Sequence, residues 1–271
     1  MNRRLQWILA GCLFLIAAVL LCLILIRRPQ STPTEPPETE APTGPRYPQR
    51  TTADDTPTPT EPLESDETIP YESPVDFDVL WQTNPDIYAW LEIPNTDISY
   101  PLLQSSSDDT YYLDRGADGE YDYDGSLFTE STYNNRDFTD PLTVVYGHNK
   151  RDGKMFSNLQ LYYSSQEDMA EREQIIIYLP DRELHFSVFA AVPFDNRHIL
   201  YNYDFTDERT FRLFFREVLS VHAMEAVYAE DALVLPEEQT LILSTCLEGN
   251  RAKRFLLCAK LTASVPDNSN S

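Results

Sequence analysis

The sequence predicts a mainly β domain: a closed or nearly closed barrel of about eight short strands, with a leading helix and a long helix inserted before the last two strands. Two observations carry this expectation. Short apolar runs bounded by Pro, Gly, Asn or Asp recur from residue 87 to residue 262. Helical spacing, by contrast, interrupts the strands in only two places, and many short strands with few helices favour a barrel.

Ser73 and Asp76 are capping residues for a short first helix carrying Phe77, Leu80 and Trp81, which Asn84-Pro85 stops. In "IYAWLEI", Ile87, Ala89, Leu91 and Ile93 alternate onto one face, and "PNTD" turns the chain into "ISYPLLQ". The next segment, "SSSDDTYYLDRGADGEYDYDGS", reads as a loop with seven acids from Asp108 to Asp124. Its spacing fits no EF-hand, so a solvated loop is expected, with no metal and no cofactor. "GSLFTE" is a short strand and "PLTVVYGHN" a buried one ending at His148.

Met155, Phe156, Leu159 and Tyr162 or Tyr163 mark one helix. "QIIIYLPDRELHFSVFAAV" is a strand pair turning at Pro180-Asp181, with Leu184, Phe186, Val188 and Ala190 on one face. The long helix has Thr206 as N-cap, Asp207 and Glu208 in its first turn, and a stripe of Phe211, Phe214, Phe215, Val218 and Leu219. "QTLILSTC" and "RFLLCAKL" close the domain.

Outside this domain, "LQWILAGCLFLIAAVLLCLILI" from Leu5 to Ile26 runs 22 residues without a charge. At about 1.5 Å per residue that spans a bilayer core of roughly 30 Å, so residues 1–28 read as a short N-terminal tip and an uncleaved anchor, with Cys12 and Cys22 inside it. Residues 29–71, rich in Pro, Thr and Glu, read as an extended disordered linker. The folded domain is expected at 72–264 and a disordered tail at 265–271.

Arg3, Arg4, Arg27 and Arg28 flank the apolar stretch, so the chain beyond residue 28 holds 17 of the 21 basic residues and all 44 acids. Such a surface repels phosphate backbones, which argues against nucleic acid as a partner.

Of four histidines, His185, His198 and His222 read as structural or exposed, whereas His148 directly follows a buried strand amid small and polar neighbours. Cys246 likewise ends a strand, and Arg254 begins the last one. A histidine can hold a thiol as thiolate, and an arginine can donate hydrogen bonds to the oxyanion formed when that thiolate attacks a carbonyl.

The competing reading is a disulfide between Cys246 and Cys258. In a hairpin Cys246 lies opposite the region of Arg254, and the four-residue offset to Cys258, at about 3.4 Å per residue, exceeds what a disulfide tolerates. Cys258 therefore reads as core.

"VVYGHN", "DGKMFSNL", "TLILSTC" and "RFLLCAKL", in this order, resemble the class B sortases. The resemblance covers about residues 74 to 262 and includes the long helix at 206 to 222. It implies an eight-stranded sortase-type barrel and a single-pass type II membrane protein, with the tip of residues 1–28 cytoplasmic and the catalytic domain outside the cell in a Gram-positive-type envelope.

It further implies a cysteine transpeptidase that cleaves a C-terminal sorting motif of surface proteins after threonine. Cys246 would carry a thioacyl intermediate, His148 would exchange the proton, and Arg254 would hold the oxyanion. The acceptor would be an amine of a peptidoglycan cross-bridge or a pilin lysine. Leu113 matches a groove-lining leucine; Ser244 and Thr245 match residues beside the bound motif.

Two departures stand out. Only "LEGNRAK" separates Cys246 from Arg254, which leaves Arg251 as a rival arginine, and an expected asparagine before Leu113 is replaced by Asp108 or Asp109. The alternative function is a non-catalytic, wall-associated binding barrel on a membrane stalk.

Overall fold

A computed structural model describes residues 71–150 and 153–266. The expected anchor, with Cys12 and Cys22, almost all of the linker and residues 267–271 lie outside the described residues. No helix among the described residues is long and apolar enough to cross a membrane, and the expected single-pass type II localisation is corrected on that finding.

A short helix, α1 (Phe77–Thr83), opens the domain, and the Asp76 side chain caps it by accepting the Val79 N–H. Eight strands then form the barrel: β1 (Ile87–Glu92), β2 (Ser99–Leu103), β3 (Leu127–Phe128), β4 (Leu142–Tyr146), β5 (Gln174–Tyr178), β6 (Glu183–Asp195), β8 (Thr240–Leu247) and β9 (Asn250–Val265). Their order is β5-β1-β2-β3-β4-β8-β9-β6, and β6 pairs back onto β5 to close the ring. The β2–β3 and β4–β8 pairs are parallel and the others antiparallel.

The expected barrel is therefore present, with one amendment. A two-residue strand, β7 (Val227–Tyr228), pairs with β6 at Ala190 and Ala191, so three strands rather than two follow the long helix. Two residues carry no periodic signal. They are held because the Tyr228 hydroxyl donates to Val218 and Val221 carbonyls at the end of that helix.

Two strands break the expected single-face alternation. The β1–β2 register shifts between Ile87 and Ala89, so Ala89, Leu91 and Ile93 enter the barrel interior while Ile87 joins Leu103, Tyr112 and Phe128 in a separate cluster. In β6 the shift falls between Val188 and Ala190. Leu184, Phe186 and Val188 point inward with Ala191, and Ala190 packs outside. A bulge adds one residue and flips the phase that follows it.

The helices also differ from expectation. The segment from Met155 does not start as a helix, because Phe156 N–H donates to the His148 carbonyl and Met155 N–H to the Tyr100 hydroxyl, folding the chain back on the end of β4. Helix begins only at α2 (Leu159–Tyr162), followed by α3 (Gln166–Glu171) with Ser165 as its cap.

A further short helix, α4 (Ile199–Asn202), precedes the long one, α5 (Glu208–Leu219). The N-cap of α5 is Asp207, one residue after the expected Thr206, and its carboxylate accepts the Thr210 N–H at 2.8 Å. The Thr210 hydroxyl, which donates to the same carboxylate, and then this N–H hold the Asp207 carboxyl below its ordinary value.

The barrel wall separates two cores. Val145, Leu241, Leu243, Phe255, Leu257 and Ala259 fill the interior. Leu142, Val144, Ile242, Leu256 and Cys258 point outward and are covered by Phe211, Phe214, Phe215 and Val218 of α5. Burying each such aromatic contributes roughly 1.5–3 kcal/mol, enough to seat the helix on the outer face.

Candidate active site

Three adjacent strands set the site. Tyr146 of β4 lies opposite Ser244 of β8, and Cys246 of β8 lies opposite Arg254 of β9. Side chains alternate with period two, so Tyr146, Ser244, Cys246 and Arg254 share the outer face with Val144, Ile242 and Leu256. The candidate residues therefore occupy the stretch of this face beyond α5, rather than the interior. His148 follows two residues past Tyr146, the last paired residue of β4, and lines the same cavity as Cys246.

A cavity of about 120 Å³ is lined by Leu113, Phe128, Tyr146, Gly147, His148, Ser244, Thr245, Cys246 and Arg254. All six residues singled out from the sequence are in this wall. A second, larger cleft of about 850 Å³ reaches Cys246 from the side of Asn149, Lys150, Ser157, Asn158 and Leu247 to Gly249.

Within the cavity the Arg254 Nη1 lies 3.8 Å from the Cys246 Sγ. The His148 Nε2 is 2.7 Å from the Leu113 carbonyl oxygen. A carbonyl only accepts, so Nε2 carries a proton and the Nδ1 of the neutral ring is free of one. Asn149 Nδ2 donates to the Cys246 carbonyl at 2.9 Å, fastening the chain after His148 to the end of β8. The Arg251 side chain lies outside the described ones.

Two glycines allow this approach. Gly125 has φ +62, and a Cβ there would lie 2.5 Å from the Leu113 oxygen that holds His148. A Cβ on Gly147 would collide with Leu127 Cδ2 and with Phe156 Cδ2, the latter at 2.6 Å. Both positions need a residue without a side chain.

Cys246 and Cys258 are both free thiols. Cys258 pairs with Ile242, four residues down β8 from Cys246, as the hairpin geometry requires. Full burial pushes its thiol far above the ordinary value, which leaves it inert.

The remaining histidines have other work. His185 Nε2 meets Glu183 at 2.8 Å, His222 is exposed in the turn after α5, and His198 caps α4 and meets Glu130. In the acidic loop, Asp124 pairs with Lys150 at 3.2 Å, and the Lys150 ammonium sits 3.9 Å over the Tyr123 ring. No group of three or more His, Cys, Asp or Glu suited to a metal occurs among the described residues.

Sequence reasoning missed Tyr146 and Phe128, whose rings stack at 5.5 Å in the cavity wall. The period-two phase of β4 was the available signal for Tyr146; nothing local marked Phe128.

No family model matches the chain. Sortase B of Listeria monocytogenes serovar 1/2a is 30% identical over 170 residues, which are 62% of this chain and 65% of that protein. Sortase B of Staphylococcus aureus is 26% identical over 196 residues, 68% of this chain and 74% of that protein. Among solved structures, the Bacillus anthracis protein described as similar to sortase B superposes with a TM-score of 0.60 at 27% identity, covering 72% of this chain and 88% of that one.

In sequence and in fold the chain is similar to the class B sortases. The fold agreement extends to sortase B of Clostridium perfringens, with a TM-score of 0.60 at 22% identity over 69% of this chain and 100% of that one. The chain spans just under two thirds of the length of its Listeria relative.

Proposed function

We propose that this protein is a sortase-type cysteine transpeptidase with Cys246 as nucleophile, His148 as proton carrier and Arg254 as oxyanion donor. The observation that supports it best is the convergence of the three on one cavity, on one face of three neighbouring strand ends, with Arg254 Nη1 3.8 Å from Cys246 Sγ.

The Cys246 thiol gives its proton to His148, and the thiolate attacks the carbonyl of the sorting-motif threonine. The C–S bond forms, the oxyanion is held by the guanidinium, and the C–N bond breaks as His148 protonates the leaving amine. The thioacyl then meets an acceptor amine: the new C–N bond forms, C–S breaks, and His148 takes up the amine proton. Leu113 and Ser244 bound the donor side, with Thr245 or Cys246 backbone amide as second oxyanion donor.

The acyl donor is a surface protein with a C-terminal sorting motif, the substrate class the resemblance implies; a relative from Staphylococcus aureus has been solved as a sortase B–substrate complex, at 24% identity. The acceptor is a peptidoglycan cross-bridge amine or a pilin lysine. The larger cleft on the other flank of Cys246 provides a separate approach for it.

The test is to incubate the purified domain with a library of sorting-motif peptides and a small amine, and to identify products by mass. Peptides cleaved after threonine and joined to the amine are expected. Turnover that survives Cys246→Ala would remove the assignment.

A further inference from the structure

The proposed reaction makes no use of a buried polar set behind the cavity wall. Tyr146 faces the cavity, yet its hydroxyl is buried and has no hydrogen-bond partner. Glu130, 6% exposed, follows β3 and has an equally buried and unpartnered Oε2. The two act on each other: burial first, then the Glu130 carboxylate, pushes the Tyr146 hydroxyl far above its ordinary value. The Tyr146 ring lies 6.2 Å from the ring of His198, which itself meets Glu130 at 2.8 Å, so hydroxyl and carboxylate are neighbours behind the wall.

The other carboxylate oxygen is taken. His198 Nε2 lies 2.8 Å from Glu130 Oε1, while His198 Nδ1 accepts the Tyr201 N–H at 3.1 Å as the cap of α4. A ring nitrogen that accepts has no proton, so the ring is neutral and Nε2–H is the donor. Glu130 therefore presents one remaining acceptor, and the buried donor beside it is the Tyr146 hydroxyl.

The other charged or titratable groups facing this pair are Asp109, Tyr133 and Arg254. Burial raises the Glu130 carboxyl, partly offset by His198, so the ionised form is costly to the fold. A glutamine would fill the same space at no such cost. A buried carboxylate that the fold does not need calls for a different reason.

We propose that Glu130 is a positioning residue of the site. Held by His198, it takes the Tyr146 hydroxyl and so fixes the aromatic wall between Phe128 and Arg254 against which the acyl donor lies. The kinetic consequence rests on the transpeptidase reading; the brace itself does not.

The test compares wild type, Glu130→Gln, Tyr146→Phe and the double variant by sorting-peptide kinetics, thermal unfolding and the imidazole nitrogen spectrum of His198. Each single variant should raise KM about tenfold with kcat little changed, and the double should be no worse than either single. Glu130→Gln should unfold no lower than wild type. The His198 Nε2–H resonance should move in both single variants.

Additive losses, or losses that follow a fall in unfolding temperature, would overturn the brace. Should wild type turn over no peptide, the transpeptidase reading fails alone. The brace then stands or falls on the His198 resonance, and one unchanged in both variants overturns it.

Discussion

The outer face of β4, β8 and β9 is one surface put to two uses. Toward the start of β4 and β8, Leu142, Val144, Ile242, Leu256 and Cys258 lie under α5 and are sealed from water. Toward the end of β4 and β8, the same phase presents Tyr146, Ser244, Cys246 and Arg254 to a cavity. The contrast between the two cysteines follows: Cys258 is buried and inert, while Cys246 is half-buried beside a guanidinium. Reactivity here is decided by where the covering helix stops, since strand pairing places both residues in the same way.

The sharpest break of this comparison is Cys246→Ala, which should abolish peptide cleavage and leave thermal unfolding nearly unchanged, because the site is not part of the sealed core. Arg254→Ala should lower kcat/KM on the order of 100-fold to 1,000-fold, read by steady-state kinetics, as expected for loss of an oxyanion donor. An equal loss in Arg251→Ala with Arg254→Ala nearly silent would transfer the role to Arg251.

On the sealed side the order reverses. Phe214→Ala, which empties a site packed against Tyr203, Phe205 and Phe215, should cost about 3–5 kcal/mol in denaturant unfolding while the folded fraction keeps its turnover. Gly147→Ala acts from the barrel interior, since its methyl group would strike Leu127 and Phe156 one residue before His148. A loss of about 1–3 kcal/mol together with reduced turnover is expected.

The smallest effect concerns pH. Because burial raises the Glu130 carboxyl in the fold, its contribution to stability is complete below the unfolded value, about 4.3, and declines as pH rises through the folded one. Unfolding temperature followed across this range should show that decline in wild type and not in Glu130→Gln.

Much of this arrangement was legible in the residues. A short hairpin fixes its own register, so counting from the turn was enough to set Cys246 opposite Arg254 and to keep Cys258 away. The helical stripe of α5 and the capping of α1 were also readable, since both are local.

What escaped was non-local. The parallel pairing of β4 with β8, which brings His148 and Cys246 to one cavity, joins segments far apart in the chain. The bulges in β1 and β6 reverse a face by one inserted residue with no marking in composition. Glu130, Tyr146 and His198 come from three separate segments and meet only in the folded wall.

The most direct test of the account is the mass of the protein trapped during turnover with a sorting-motif peptide and no acceptor amine. The account predicts an acyl adduct, released by hydroxylamine and mapped to the peptide containing Cys246, with none on Cys258. An adduct elsewhere, or turnover without any adduct at Cys246, would contradict it.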